Sequence, residues 1–263
     1  EFTKKSFLNT GTVTTPIIVV PCSFPDAVLT EEPGKLDLDL ETKFNFLVFG
    51  QLTGGDPEND RKNLPFTIKW LMEEFENDKD VGVILKTNSG RFTKVDKFQC
   101  NALVENLMKA INKAANPKFY LLHGEMSEEE LVGLYTHPAI KALVTLTHGE
   151  GFGLPILEAA ACGLPVIATD WSAHTEFLGL GKYIKVPSKL VPIPQSRIDN
   201  QIWVKDIKWA HVNEQDFKKC ARKFYKTSHT PKVLAKDLKE KIQAKYSFES
   251  ISKQYSSVFE NII

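Results

Sequence analysis

The sequence predicts an α/β fold: an open parallel sheet flanked by helices. Three observations carry that expectation. Short apolar runs recur at Pro16 to Val20, Phe44 to Phe49, Val81 to Lys86, Lys118 to Leu122, Lys141 to Leu146, Pro165 to Thr169 and Tyr183 to Val186. Most are nearly continuous in Val, Ile, Leu and Phe rather than alternating, as strands covered on both faces are. Segments with helical periodicity lie between them, which calls for right-handed crossovers rather than hairpins. Finally, a glycine-rich turn, His148-Gly149-Glu150-Gly151-Phe152-Gly153, joins one apolar run to a helix. Open α/β sheets bind ligands at such carboxyl-end turns.

The elements follow in order. Thr30 to Glu41 is acidic, contains Pro and Gly, and reads as a linker into the first strand of the main sheet. Leu64 to Phe75 reads as a helix. Val104, Leu107, Met108 and Ile111 recur at i, i+3, i+4 and i+7, with Glu105, Asn106, Lys109 and Asn112 on the opposite side, the pattern of a half-buried helix. Ser127 followed by Glu130 is a capping box, and the helix it starts stops before Pro138. Pro155 opens a helix through Glu158 and Ala159 to Cys162, because a proline in the first turn gives up no hydrogen bond. Gly163 ends it in a left-handed cap. Pro187 to Asn213 holds three prolines and two tryptophans without clean periodicity and reads as an ordered loop or insertion. Phe248 to Ile262 carries a helical stripe of Ile251, Tyr255, Val258, Phe259 and Ile262, suiting a terminal helix.

Composition bounds the function. With 263 residues, 42% hydrophobic and 25% charged, a sizeable core forms without staples. The 33 basic and 33 acidic residues cancel, which excludes a general nucleic-acid binder, since that role needs a basic surplus to release counterions. A local basic pocket for one diphosphate stays compatible. Cys22, Cys100, Cys162 and Cys220 are scattered without a Cys-x-x-Cys pair, and read as buried reduced thiols of a cytoplasmic protein rather than a zinc site. No apolar stretch reaches membrane-helix length and no signal-peptide pattern opens the chain. Residue 1 is Glu, so something upstream is expected to have been removed, or the chain is a fragment.

The turn at residues 148–153 is the candidate site. Glycines let backbone N–H groups approach a ligand, and a helix N-terminus adds partial positive charge, so together they suit a diphosphate. The glycines alone fit a tight structural turn equally well. Two carboxylates add weight: Glu150 precedes the turn and Glu158 lies early in the helix behind it. A carboxylate accepts two hydroxyl hydrogen bonds, as a sugar diol requires. Phosphate-binding amides flanked by diol-binding carboxylates fit a nucleotide sugar, while the plainer reading of Glu158 is a surface residue near a helix start.

These residues carry a family resemblance. Gly149-Glu150-Gly151-Phe152-Gly153-Leu154-Pro155, Glu158-Ala159, Cys162-Gly163-Leu164-Pro165-Val166-Ile167-Ala168-Thr169 and Thr175-Glu176-Phe177 resemble the signature of retaining glycosyltransferases of the GT-B fold, group 1 (family 4). Its Glu-x7-Glu hallmark is matched by Glu150 and Glu158. Upstream, Asp60-Arg61-Lys62-Asn63 resembles the family's basic loop after the first strand of its C-terminal, Rossmann-like domain. Many members carry an Arg just after the first strand's glycine. Here that place is Gln51, with Arg61 as the candidate substitute.

The resemblance implies roles. Glu150 would contact the transferred sugar, with Lys62 and Arg61 neutralising the diphosphate and the leaving group. Glu158 would hold the ribose. The amides of Gly151, Phe152, Gly153 and Leu154 would meet sugar and diphosphate, with the Phe152 ring packed beneath the loop. Lys86 would be a second basic position, and His123-Gly124-Glu125 would flank the base through the main chain. No metal or other cofactor is implied, because the leaving phosphate can itself assist deprotonation of the acceptor; His123 and His148 are lesser candidates for acid–base work. The donor would be a UDP-, GDP- or other nucleoside-diphosphate sugar, and the acceptor a carbohydrate, lipid or protein. By the same likeness residues 1–40 would be the end of a missing acceptor domain and a connector, 41–235 the donor domain, and 236–263 C-terminal helices crossing back. Two alternatives stand beside this: a donor-binding subunit or non-catalytic nucleotide-sugar-binding module, and a Rossmann oxidoreductase. The last fits poorly, since Gly149-x-Gly151-x-Gly153 is not Gly-x-Gly-x-x-Gly and Asp170 arrives too soon to be the ribose acid.

Overall fold

Six of the apolar runs pair into one sheet in a computed structural model that describes residues 1–30, 36–53, 55–88, 90–91, 93–111 and 117–260. The strands are β1 (Phe44–Phe49), β2 (Val81–Thr87), β3 (Lys118–His123), β4 (Ile140–Thr145), β5 (Val166–Thr169) and β6 (Ile184–Val186). All pairings are parallel, in the order β3-β2-β1-β4-β5-β6. The order reverses between β1 and β4, so the loops leaving those two strands diverge and open a crevice at the carboxyl edge. The α/β expectation of an open parallel sheet flanked by helices holds.

The strands' twofold periodicity sorts their side chains into two cores. Leu47, Ile84, Leu143 and Ala168 face one layer, made by α4 (Glu128–Thr136), α5 (Leu154–Ala161), α6 (His174–Leu178) and α8 (His229–Tyr246). Phe46, Val48, Val83, Leu85, Val144 and Ile167 face the other, made by α2 (Leu64–Glu74), α3 (Lys94–Ile111) and α7 (Glu214–Thr227). Phe217 and Phe224 of α7 are buried, and each contributes about 2–3 kcal/mol through lost water contact. Arg222 ties α7 to α2 through Glu74 and Asp78. The capping box at Ser127 and Glu130 forms, and Gly163 closes α5 with φ +81°. Leu154 opens α5 and Pro155 follows as its second residue.

Several expectations need correction. Residues 16–20 form no strand, and Ile18 and Val19 are exposed. Apolar content alone does not make a strand, which forms only where it pairs with a neighbour. Residues 2–8 are instead α1 (Phe2–Leu8). The segment 187–213, read as an ordered loop or insertion, contains an antiparallel ribbon of β7 (Ser188–Pro192) and β8 (Lys208–Val212) joined by an irregular connection. Cys100 is buried, but Cys162 and Cys220 are only partly so and Cys22 is exposed. The linker prediction falls partly on residues 31–35, outside the described residues. The last helix, α9 (Phe248–Glu260), buries Ile251, while Tyr255 and Phe259 of its stripe stay exposed; Ile262 lies outside the described residues. Among the described residues no helix is long and apolar enough to cross a membrane.

Candidate active site

The crevice between β1 and β4 is built from two loops stitched together. After β1, Asp60 accepts the N–H groups of Lys62 (3.0 Å) and Leu64 (2.8 Å), capping α2. Asn63 takes a left-handed φ of 55°, which asparagine tolerates better than most residues, and its amide donates to the Leu146 carbonyl (3.1 Å). After β4, the N–H of His148 and the hydroxyl of Thr147 both donate to the Arg61 carbonyl, at 2.9 and 3.1 Å. Hydrogen bonds therefore join the basic loop and the glycine turn into one unit.

Glu150 sits at its centre with 7% of its side chain exposed. Lys62 Nζ lies 2.5 Å from one carboxylate oxygen and Arg61 3.5 Å from the other. Arg61 also donates to the Gly149 carbonyl. The Glu150 backbone is clamped from both sides by Ser172, whose hydroxyl accepts from the Glu150 N–H (2.7 Å) and donates to its carbonyl (2.6 Å). Ser172 holds φ +94° to do so, a conformation a side-chain-bearing residue adopts only when its surroundings enforce it. Gly153, at φ +96°, turns the chain into α5. Phe152 packs on Phe177 and Tyr246, beneath the loop.

Two clefts open on this unit. One of about 400 Å³ is walled by His148, Glu150, Gly151, Trp171, Trp203 and Trp209. The other, of about 490 Å³, is lined by Gln51, Thr53, Asp60, Arg61, Lys62 and Arg197, among others. Burial pushes the Asp60 carboxyl above its ordinary value, against the backbone bonds it accepts.

The structure brings Arg61, Lys62, Glu150 and Gly151 together, keeps Phe152 and Gly153 in the same turn, and leaves Glu158, Lys86 and Gly124 off the two clefts. Glu158 is the fifth residue of α5, one residue deeper than a helix opened by Pro155 would place it, and accepts a hydrogen bond from Tyr135 of α4 (3.1 Å). Burial raises its pKa, and the Tyr135 hydroxyl opposes that rise. Lys86 is enclosed, 1% exposed, with its ammonium on Asn88 Oδ1 (2.5 Å) and the Gly124 carbonyl. Burial lowers its pKa, and Glu125 and Glu130 counter this. Neither Lys86, Gly124 nor Glu158 lines the two clefts. Leu154 is partly exposed at the start of α5. His148 is buried against Trp209, rings 4.1 Å apart and near parallel. Its Nδ1 lies 2.6 Å from the Ala210 carbonyl, so that nitrogen carries the proton. Burial pulls its pKa down to about 4. No group of His, Cys, Asp and Glu able to hold a metal ion occurs among the described residues.

Ser172, Tyr135, Arg197 and the tryptophans of the ribbon were not singled out from sequence. Ser172 left only the hint of a polar residue soon after β5. Tyr135 reads as ordinary core, and Arg197 reaches the cleft only because the ribbon folds back.

Comparison with known proteins finds similarity to glycosyltransferases. Residues 102–192 match the family model described as Glycosyl transferases group 1. A probable sucrose-phosphate synthase of Thermosipho melanesiensis is 29% identical over 168 residues, covering 62% of this chain and 35% of that protein. Sucrose-phosphate synthase from Thermosynechococcus elongatus superposes with TM-score 0.64 at 18% identity, over 98% of this chain and 56% of that one. The pneumococcal O-GlcNAc transferase GtfA, solved in complex with UDP and GlcNAc, gives TM-score 0.62 at 14% identity, over 99% and 44%. These neighbours share the GT-B type of fold with this chain, which spans about a third of the curated relative's length and about half of each structure.

Proposed function

We propose that this chain is the donor-binding part of a retaining glycosyltransferase that moves a sugar from a nucleoside-diphosphate sugar to an acceptor hydroxyl. The observation that carries this reading is Glu150, a nearly buried carboxylate fixed by Lys62 and Arg61 at the point where the strand order reverses. A carboxylate so fixed is ready to accept sugar hydroxyls, and two cations beside it suit a diphosphate. The resemblance of the Glu150 to Glu158 motif, and the UDP and GlcNAc of the GtfA complex, support the same assignment. Glu158 then takes the ribose, and the amides of Gly151, Phe152, Gly153 and Leu154 face sugar and phosphates. Lys86 holds the Gly124 carbonyl and so shapes the loop beside the base.

In this mechanism the C1–O bond to the diphosphate breaks while the acceptor oxygen bonds to C1 from the same face. The acceptor proton passes to a phosphate oxygen. Lys62 and Arg61 stabilise the charge that develops on the leaving diphosphate, which is where preorganised electrostatics contribute most. No metal is assigned a step. Residues 1–40 serve as connector from an acceptor domain, residues 41–235 bind the donor, and residues 236–263 return toward that domain, in a cytoplasmic enzyme. The alternative, a donor-binding subunit acting with a separate acceptor polypeptide, uses the same site.

The test is a calorimetric screen of UDP- and GDP-sugars against the chain and its Glu150→Gln and Glu158→Gln variants. Glu150→Gln is expected to weaken binding of the sugar nucleotide more than of the nucleoside diphosphate, and Glu158→Gln to weaken both. Unchanged affinity in both variants would remove the assignment. Supplying an acceptor domain in trans, and reading the product's anomeric configuration by NMR, tests retention.

A further inference from the structure

The Lys62 cleft holds more acid than its basic loop suggests, and its charges are unevenly engaged. Asp60 has both oxygens on backbone N–H groups, and Asp56 caps a short 3-10 turn by accepting from Glu58 N–H (3.0 Å). Lys62 and Arg61 are shared with Glu150. Gln51, at the exit of β1, contributes no charge. The remaining cation on the lining is Arg197, and it comes from the ribbon rather than from the sheet.

The ribbon is built to hold Arg197 there. β8 is fastened to the glycine turn through the Ala210 N–H to the His148 carbonyl (3.0 Å), the His148 ring to the Ala210 carbonyl (2.6 Å) and the Trp209 stack. Across the cleft, Ser196 donates to Asn59 Oδ1 (3.1 Å). The connecting turn is fixed by Asp199, one oxygen of which accepts the N–H groups of Gln201, Ile202 and Trp203 at 2.8–2.9 Å. That turn presents the Trp203 face to Arg197, with the guanidinium carbon 4.6 Å from the ring centroid. Asp199 also attracts Arg197 electrostatically, but no carboxylate lies within 4 Å of Arg197 among the described residues. Its Nε is buried without a hydrogen-bond partner. A guanidinium stacked on tryptophan, with no carboxylate within 4 Å among the described residues and on a cleft that Arg61 and Lys62 also line, is preorganised for an anion with several oxygens.

Resting on the diphosphate reading above, we infer that Arg197 is the third cation of the site: it reaches from the ribbon to clamp the donor's diphosphate. Trp203 is a positioning residue that fixes the guanidinium plane.

The experiment is calorimetric titration of UDP, UMP and inorganic pyrophosphate into the full chain and into Arg197→Gln, Arg197→Lys, Trp203→Leu and Lys62→Ala variants, with thermal melts as the folding check. Arg197→Gln is expected to weaken UDP and pyrophosphate about 10-fold or more, the range of a charge-assisted contact, and UMP less than about threefold. Arg197→Lys should recover part of the loss, and Trp203→Leu should show a smaller loss of the same pattern. If Lys62→Ala weakens UDP while Arg197→Gln binds UDP and pyrophosphate as the parent does, Arg197 is not in the site and the inference falls alone. An equal loss of UMP and UDP in Arg197→Gln overturns the diphosphate assignment. Absence of binding of all three ligands to the parent chain overturns the diphosphate reading and this inference together.

Discussion

Acidification should loosen this protein through His148. The ring is buried between Trp209 and the glycine turn, donates from Nδ1 to the Ala210 carbonyl, and has Arg61 and His211 nearby, both of which disfavour its protonation. Its pKa falls from 6.5 to about 4, with burial the largest cause. Above pH 6.5 the ring is neutral in both folded and unfolded chains, and no stability depends on its titration. Below 6.5 the unfolded chain takes up a proton that the folded chain refuses until about pH 4, so stability is lost as pH falls through that window. The size follows from the difference in proton binding: about 2 kcal/mol at pH 5, approaching about 3 kcal/mol below pH 4. His174, buried on the other side of Glu150 with its pKa also lowered chiefly by burial, adds to the same slope. Urea unfolding at pH 7 and pH 5 measures it, with His148→Phe as the comparison. Phe keeps the stack on Trp209 but cannot titrate, so the variant begins less stable and loses about 2 kcal/mol less between the two pH values. The His148 ring resonances should titrate near pH 4. Titration near 6.5, or identical pH slopes in the parent and His148→Phe, refutes the argument. Because His148 anchors β8, the protection factors of the amides in residues 208–212, corrected for the intrinsic pH dependence of exchange, should fall at pH 5 before global unfolding begins.

Two further outcomes test how the glycine turn is held. Gly153→Ala forces a Cβ into φ +96° and to 3.1 Å from Ile156 Cδ1. It should cost about 1–2 kcal/mol by chemical denaturation, and it should weaken nucleotide binding by shifting the start of α5. Ser172→Ala removes both hydrogen bonds that clamp the Glu150 backbone while keeping the unfavourable φ. A loss of about 1–3 kcal/mol is expected, measured in urea, with Ser172→Gly less destabilised because it relieves the backbone. Equal stability of Ser172→Ala and the parent would mean that the clamp contributes nothing.

Much of the sheet could be read along the chain because strands buried on both faces must be continuously apolar, and helices packed on one side must repeat every three to four residues. The capping box at Ser127 and the glycine cap at Gly163 were equally legible, since each satisfies backbone groups of its own helix. Glu150, Gly151 and Gly153 stood out because the constraints on them are local: a turn needing left-handed backbone and a carboxylate beside it. The apolar run at residues 16–20 misled because a strand is made by its neighbour, and no edge of the sheet receives it.

What the sequence by itself determined, then, is the alternation of elements and the glycine turn, both products of short-range chemistry. Only the tertiary structure decided which charges meet. Lys62 and Glu150 are 88 residues apart, and their contact depends on the strand order that sets β1 beside β4. Tyr135 reaches Glu158 from a different helix, Lys86 spends its charge on a neighbouring loop, and the segment 187–213 becomes a ribbon only by docking β8 on His148. Periodicity records what one element buries, but an ion pair or a docked ribbon depends on where two elements come together, and that distance is written in no single stretch of chain.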